Sequence, residues 1–358
     1  MLIWFDAVTA KEPLLFDAIA KELEKEGHEV IFTCREYDYV SSLFELLGRK
    51  VEVFGKHGGK TLYGKLIAGN ERIKLLAEYI NNLNKKLDKK PDYHICFGCP
   101  ESTRVAFGLG IPVININDSP HAWAVAKLTV PLSKYLVYSG CIKEEEWLKL
   151  GAVKEQLCPY NGIDEVAWLK SFEPNEEVLS QLGLSKEEHF IVARPEESSA
   201  TYMLDDNITS STYLDVILDE ILKTYKGKVV VFPRYQKQKE LLQEHYKEKI
   251  IVPPKAVDTL SLYYYADLCI TGGATMARES AAIGTPAISY FPRELDVLKY
   301  ISETGIPLYN EYTIPKAIER AKELLSSENI KDKLRKKTKN ILSQMESPVD
   351  KVIELIKN

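Results

Sequence analysis

The chain has 358 residues, 45% of them hydrophobic and 28% charged, a mix that excludes a disordered or collagen-like protein and can bury a core without disulfides or metals. Lys and Arg number 47 against 52 Asp and Glu, and the net charge of −5 gives no footprint for nucleic acid. No apolar run approaches the ~20 residues of a membrane span, and the first residues, MLIWFDAVTA, lack the features of a signal peptide, so a cytoplasmic protein is expected.

Periodicity predicts an alternation of strands and helices. In chain order these are a strand at Leu2–Phe5, a helix at Pro13–Glu26, a strand at Glu29–Thr33, a helix at Tyr39–Leu47, a strand at Val51–Phe54 and a long helix at Leu66–Leu87. Strand Tyr93–Phe97, helix Ser102–Leu109, strands Pro112–Asn117 and Lys134–Tyr138, and a helix near Lys143–Leu150 follow. Residues 159–189 interrupt this rhythm and are read as the connection between two domains. It resumes with strands at Phe190–Ala193, Val229–Phe232, Ile250–Val252, Leu262–Ala266, Leu268–Thr271 and Pro286–Tyr290, and helices near Tyr213–Tyr225, from Gln236 and from Thr275. The last ~60 residues read as mostly helical and polar.

Strands alternating with helices imply parallel sheets covered on both faces. The halves echo each other: Ala106-Phe-Gly-Leu-Gly-Ile-Pro-Val-Ile resembles Ala282-Ile-Gly-Thr-Pro-Ala-Ile, each a helix stopped at Gly before a Pro opens a buried strand. Gly110 and Gly284 lie 174 residues apart, about half the chain. The expectation is therefore two Rossmann-type domains facing a central cleft, with ligands at the carboxyl ends of the strands. The domains expected are 1–165 and 166–345, with 346–358 a terminal helix crossing back to the first.

The sharpest motif is Thr271-Gly-Gly-Ala-Thr-Met-Ala-Arg-Glu279, between a strand and a helix. Gly272 and Gly273 allow close backbone approach, Ala274, Thr275 and Met276 open the helix, and its free N–H groups suit a diphosphate. Glu279, one turn in, can accept from two ribose hydroxyls; the alternative is a tight turn without a ligand. No Asp-x-Asp stands at a strand end near this turn, and Asp205-Asp206 falls in a polar loop, so no metal or other cofactor is expected. Cys96-x-x-Cys99 has metal spacing without a second pair, and reads as buried thiols.

This segment resembles the donor-binding stretch of GT-B glycosyltransferases such as MurG and of the UDP-N-acetylglucosamine 2-epimerases. In both, a Gly-rich turn cradles the diphosphate and a Glu five residues before the helix-terminal Gly holds the ribose, a role that passes to Glu279. The whole chain is more closely similar to the family catalogued as domain of unknown function 354, through Lys56-His-Gly-Gly-Lys60, Arg104–Pro112, Asn117-Asp-Ser-Pro-His-Ala122, Phe232-Pro-Arg234 and Asp258–Ser289. The resemblance implies a GT-B-like fold and a UDP-sugar or similar donor.

An epimerase of that kind needs carboxylates after the fourth and fifth strands and a His after the first strand of the second domain. By register these places fall near Cys99, at Asn117 with Asp118 beside it, and near Arg194, and only a slip would bring Glu101 and Asp118 into position. The residues fit a metal-independent glycosyltransferase better, since it needs one base and positive groups for the leaving diphosphate. The alternatives are an epimerase-like enzyme and a non-catalytic nucleotide-sugar-binding protein.

Candidate bases are Asp6, ending the first strand; Glu12, at the place of a His in MurG and many relatives; and Asp118 and His121, after the fifth strand. Glu12 also suits the first turn of a helix, and Asp118 a helix cap. Arg194 and Arg234 end strands where guanidinium groups suit phosphate. Arg293-Glu294 follows the last core strand, where GT-B enzymes hold the donor sugar.

Residues 56–90 carry nine Lys/Arg and three Asp/Glu among apolar residues from Leu62 to Leu76. They read either as a face for a membrane or a lipid-linked acceptor, placing the protein at the inner membrane face, or as an ordinary amphipathic helix. The acceptor and any oligomer are left open.

Overall fold

A computed structural model describes residues 1–37, 39–87, 89–196, 212–327 and 331–357, so Asp205-Asp206 lies outside the described residues. The chain forms two units, Met1–Trp168 with Met345–Asn358, and Leu169–Gln344.

Unit 1 holds seven parallel strands: β1 (Leu2–Ala7), β2 (Glu29–Glu36), β3 (Glu52–Lys56), β4 (Tyr93–Phe97), β5 (Val113–Ile116), β6 (Tyr135–Ser139) and β7 (Leu157–Tyr160). Their order is β3-β2-β1-β4-β5-β6-β7, so the winding reverses between β1 and β4. Helix Glu12–Lys25 carries Pro13 in its first turn and buries Leu15, Phe16, Ile19, Ala20 and Leu23, a helical stripe against the sheet where Phe5 meets Phe16 and Phe32. Gly27 ends it with φ +80°. β7 carries Pro159 and pairs only with β6, at the sheet edge, where a missing N–H is tolerated. The expected connection therefore begins inside a seventh strand.

The segment from Met345 belongs to this unit. Glu346 N–H donates to Asn161 O at 2.8 Å, and helix Pro348–Lys357 buries Val349, Val352 and Ile356 while packing on Glu12–Lys25.

Unit 2 has six parallel strands: β8 (Phe190–Arg194), β9 (Lys228–Val231), β10 (Ile250–Ile251), β11 (Leu268–Thr271), β12 (Ala287–Ser289) and β13 (Leu308–Asn310). The order is β10-β9-β8-β11-β12-β13, with the reversal between β8 and β11. Two elements differ from expectation. Leu262–Ala266 is not a strand: the helix Thr259–Tyr265 covers all but its last residue, started by Asp258, whose Oδ1 accepts the Ser261 N–H at 3.0 Å. β13, three residues long, lies inside the stretch read as helical. Gly110 and Gly284 both adopt the left-handed conformation, φ +65° and +94°, that the repeated Gly-x-Pro pattern requires. Among the described residues no helix is long and apolar enough to cross a membrane.

Candidate functional site

In unit 2 the reversal point is built from glycine turns and arginines. β11 ends at Thr271, and Gly272-Gly273-Ala274 leads into helix Thr275–Ile283. A Cβ on Gly272 would stand 2.6 Å from the Cα of Glu196, and one on Gly273 would stand 3.2 Å from Nη2 of Arg234. The first glycine is thus required by backbone contact, while the second leaves room for a guanidinium over the turn. Gly272 N–H donates to Arg194 O at 3.2 Å and Gly273 N–H to Thr271 Oγ1 at 3.0 Å, which fixes the turn. Ala274 caps the helix and contributes no side-chain acceptor there, so the positive end of the helix suits an incoming anionic oxygen.

Arg234 follows β9, and its Nε donates to Pro195 O at 3.1 Å, holding the side chain against the loop after β8. Arg194 is the last residue of β8, and Met276 and Glu279 are buried in the helix after the turn. Burial pushes the Tyr263 phenol well up; the Glu279 charge adds to this and the Arg194 charge opposes it. Arg293 and Glu294 are exposed after β12.

In unit 1 the reversal point carries buried charge. Asp6, at the end of β1, is fully buried against Arg72 from helix Leu62–Leu87 and accepts from Thr33 Oγ1 at 2.6 Å. Cys99 Sγ lies 3.2 Å from Asp6 and 3.3 Å from Glu101. Glu12 is also fully buried: its carboxyl accepts from Val8 N–H at 2.5 Å and Thr9 Oγ1 at 2.8 Å, closing the loop after β1. Burial outweighs these hydrogen bonds and raises its pKa to about 8, so near neutral pH the carboxyl keeps its proton.

Next to Glu12, the buried Lys11 ammonium bridges Asp164 at 2.5 Å and Asp118 at 2.8 Å and lies 4.2 Å from the centre of the Phe97 ring. Tyr160 Oη donates to Asp164 at 2.5 Å. Asn117 Oδ1 accepts the Ser119 N–H at 2.9 Å and shapes the loop on which Asp118 is nearly buried and His121 exposed. At the places examined for epimerase groups, Gly98 and Cys99 follow β4, Asn117 and Asp118 follow β5, and Arg194 ends β8. Among the described residues no group of three or more His, Cys, Asp or Glu is arranged to hold a metal ion.

The chain matches the family described as "Protein of unknown function (DUF354)" over residues 1–357. It belongs to the DUF354 family.

This DUF354 protein is 36% identical over 307 residues to an uncharacterized protein of Methanocaldococcus jannaschii, covering 84% of this chain and 85% of the relative. Its fold is similar to that of the UDP-GlcNAc 2-epimerase of the same organism, solved in complex with UDP-GlcNAc and UDP. That match has TM-score 0.69 and 17% identity, over 96% of this chain and 99% of the other. It is also similar to the glycosyltransferase of kitacinnamycin, with TM-score 0.58 and 11% identity over 99% and 98% of the chains. These likenesses establish a GT-B-like fold of two Rossmann-type parallel-sheet units.

Within the DUF354 chain, Arg194, Gly272, Gly273, Ala274 and Thr275 stand at the reversal point of unit 2 with Arg234 beside the turn and Met276 and Glu279 further into the helix, while Asp6 and Glu12 flank the loop after β1 and Asp118 and His121 lie on the loop after β5. Lys11, Arg72 and Asp164 are not among the residues that the sequence singles out. Arg72 reads as one more cation in a Lys-rich helix and Asp164 as part of a linker. The available clue was position, since Lys11 precedes Pro13 in the loop after a strand.

Proposed function

We propose that this protein is a GT-B-type glycosyltransferase using a UDP-sugar donor. The observation that carries the reading is the Gly272-Gly273 turn, with the Arg234 guanidinium beside it and a helix start beneath it. A diphosphate on this turn meets backbone N–H groups, a helix dipole and a bidentate cation together, without a metal. Glu279 supplies the acceptor for ribose hydroxyls. The similar epimerase structure holds UDP-GlcNAc and UDP, which supports a uracil nucleotide.

In the transfer, the bond from the anomeric carbon to the β-phosphate oxygen breaks and an acceptor oxygen bonds to that carbon. The electron pair of the broken bond leaves with the diphosphate, whose charge Arg234, Arg194 and the helix start stabilise. The acceptor proton passes to a base. Of the four candidates, Asp6, Glu12 and Asp118 are enclosed and engaged, whereas His121 is exposed on the loop after β5, so the reading gives the proton to His121.

An epimerase-like reading is favoured by one observation, the carboxylates of Glu101 and Asp118 just after β4 and β5. Incubation with UDP-sugars separates the two. Transfer yields UDP and a glycosylated acceptor, epimerisation yields a second UDP-sugar, and binding without turnover would reject both.

A further inference from the structure

The loop Lys56–Lys60 lies against the start of helix Leu62–Leu87 in unit 1. A Cβ on Gly58 would stand 2.3 Å from the Gly64 carbonyl oxygen and 2.5 Å from the Lys65 Cα, so the loop lies backbone to backbone on the first helical turn. Gly64 N–H donates to Thr61 Oγ1 at 3.0 Å, and the His57 ring stacks on Tyr37 with centroids 4.6 Å apart.

The same helix is sided in two ways along its length. Further on, Leu76 and Ile80 are buried against the sheet. In the first two turns, Leu62, Tyr63 and Leu66 are 68%, 74% and 61% exposed. These residues add nothing to the core and carry a solvation cost that needs another explanation.

Charge supplies it. From Val53 to Asn70 there is no Asp or Glu, while Lys56, Lys60 and Lys65 all fall in this stretch, on a chain whose net charge is −5. Leu62, Tyr63 and Leu66, with Ile67 39% exposed beside them, are a small patch next to the ~800 Å² per partner of a stable protein interface. They match shallow insertion at a bilayer, where leucine and tyrosine enter the headgroup boundary and lysines reach the lipid phosphates.

We propose that this loop and helix start dock the protein on the surface of an anionic lipid bilayer. The inference does not depend on the sugar-transfer reading. Partition is tested by sedimentation with vesicles of phosphatidylcholine, with and without phosphatidylglycerol. The wild type should pellet with the anionic vesicles, stay in solution with the neutral ones, and be released by high salt. Lys60→Gln/Lys65→Gln should weaken partition about 30-fold, from the attraction of two lysines to an anionic leaflet. Leu62→Ser/Leu66→Ser should weaken it at least tenfold by removing the inserted side chains, while circular dichroism and melting stay unchanged.

A wild type that stays in solution with anionic vesicles would overturn the proposal, as would equal binding to neutral ones. Undiminished binding by either variant would do the same. Self-association of the wild type that is lost in the leucine variant would assign the exposed patch to a second copy instead.

Discussion

The Arg72 guanidinium closes on the Asp6 carboxylate with both terminal nitrogens, at 2.6 and 3.0 Å, inside unit 1. Burial alone would raise the Asp6 pKa; the charge and hydrogen bonds of Arg72 outweigh it and hold the carboxyl below its usual value. Removing one partner leaves an uncompensated charge in the interior. Arg72→Met should therefore lower unfolding free energy by about 3–5 kcal/mol in urea titrations, and Asp6→Asn/Arg72→Met should cost less than the single change. The Asp6 contribution is present above the ordinary carboxylate range and is lost as pH falls through the lowered value.

Glu12 has the opposite sign. Its folded pKa, raised by burial to about 8, exceeds the ordinary 4.5, so its contribution is complete below pH 4.5 and declines as pH rises to about 8. Glu12→Gln presents the same shape without a charge, with its amide oxygen toward Val8. The variant should lose this decline, which amounts to a slope of about 1.4 kcal/mol per pH unit. Unfolding measured from pH 5 to 8 checks it, and parallel wild-type and variant curves would contradict the assignment.

His94 marks the acid limit. It is buried between Trp4 O at 3.1 Å and Ser102 Oγ at 3.0 Å, and burial lowers its pKa to about 4. Its neutral form is the folded one, so stability should fall as pH drops from 6.5 towards 4. His94→Gln should flatten that limb of the unfolding curve.

The two turn glycines should separate folding from binding. Gly272→Ala drives a Cβ into the Glu196 backbone and should destabilise by about 1–3 kcal/mol. Gly273→Ala meets only the movable end of Arg234, so it should fold normally and bind UDP more weakly. Melting curves beside UDP titrations read the two effects apart.

Much of this arrangement was legible in the chain because its signals are local. The Gly-Gly turn, the stop at Gly284 and the stripe Leu15, Phe16, Ile19, Leu23 each depend on a few neighbouring residues. β7 and β13 were not, since Leu157–Tyr160 contains a proline and Leu308–Asn310 is too short for alternation to register. The Lys11–Asp118–Asp164 cluster joins residues more than 100 positions from Lys11 in sequence, and only the parallel sheet brings them together. The same holds for Asp6 and Arg72, 66 residues apart.

If Arg194, Arg234 and the helix start hold the diphosphate charge, UDP affinity should be the same in EDTA and in magnesium. Arg234→Ala should weaken it by about 1.5–3 kcal/mol, the range for hydrogen bonds to charged groups. Affinity that collapses in EDTA and returns with magnesium would contradict that division of labour.

The most direct measurement is calorimetric titration of UDP into the wild type and into Glu279→Ala. The account predicts binding by the wild type and a loss of about 1.5–3 kcal/mol in the variant, with the fold retained by circular dichroism. A wild type that takes up no UDP, or a variant that binds it equally well, would contradict the assignment of the Thr271–Glu279 segment as a nucleotide cradle.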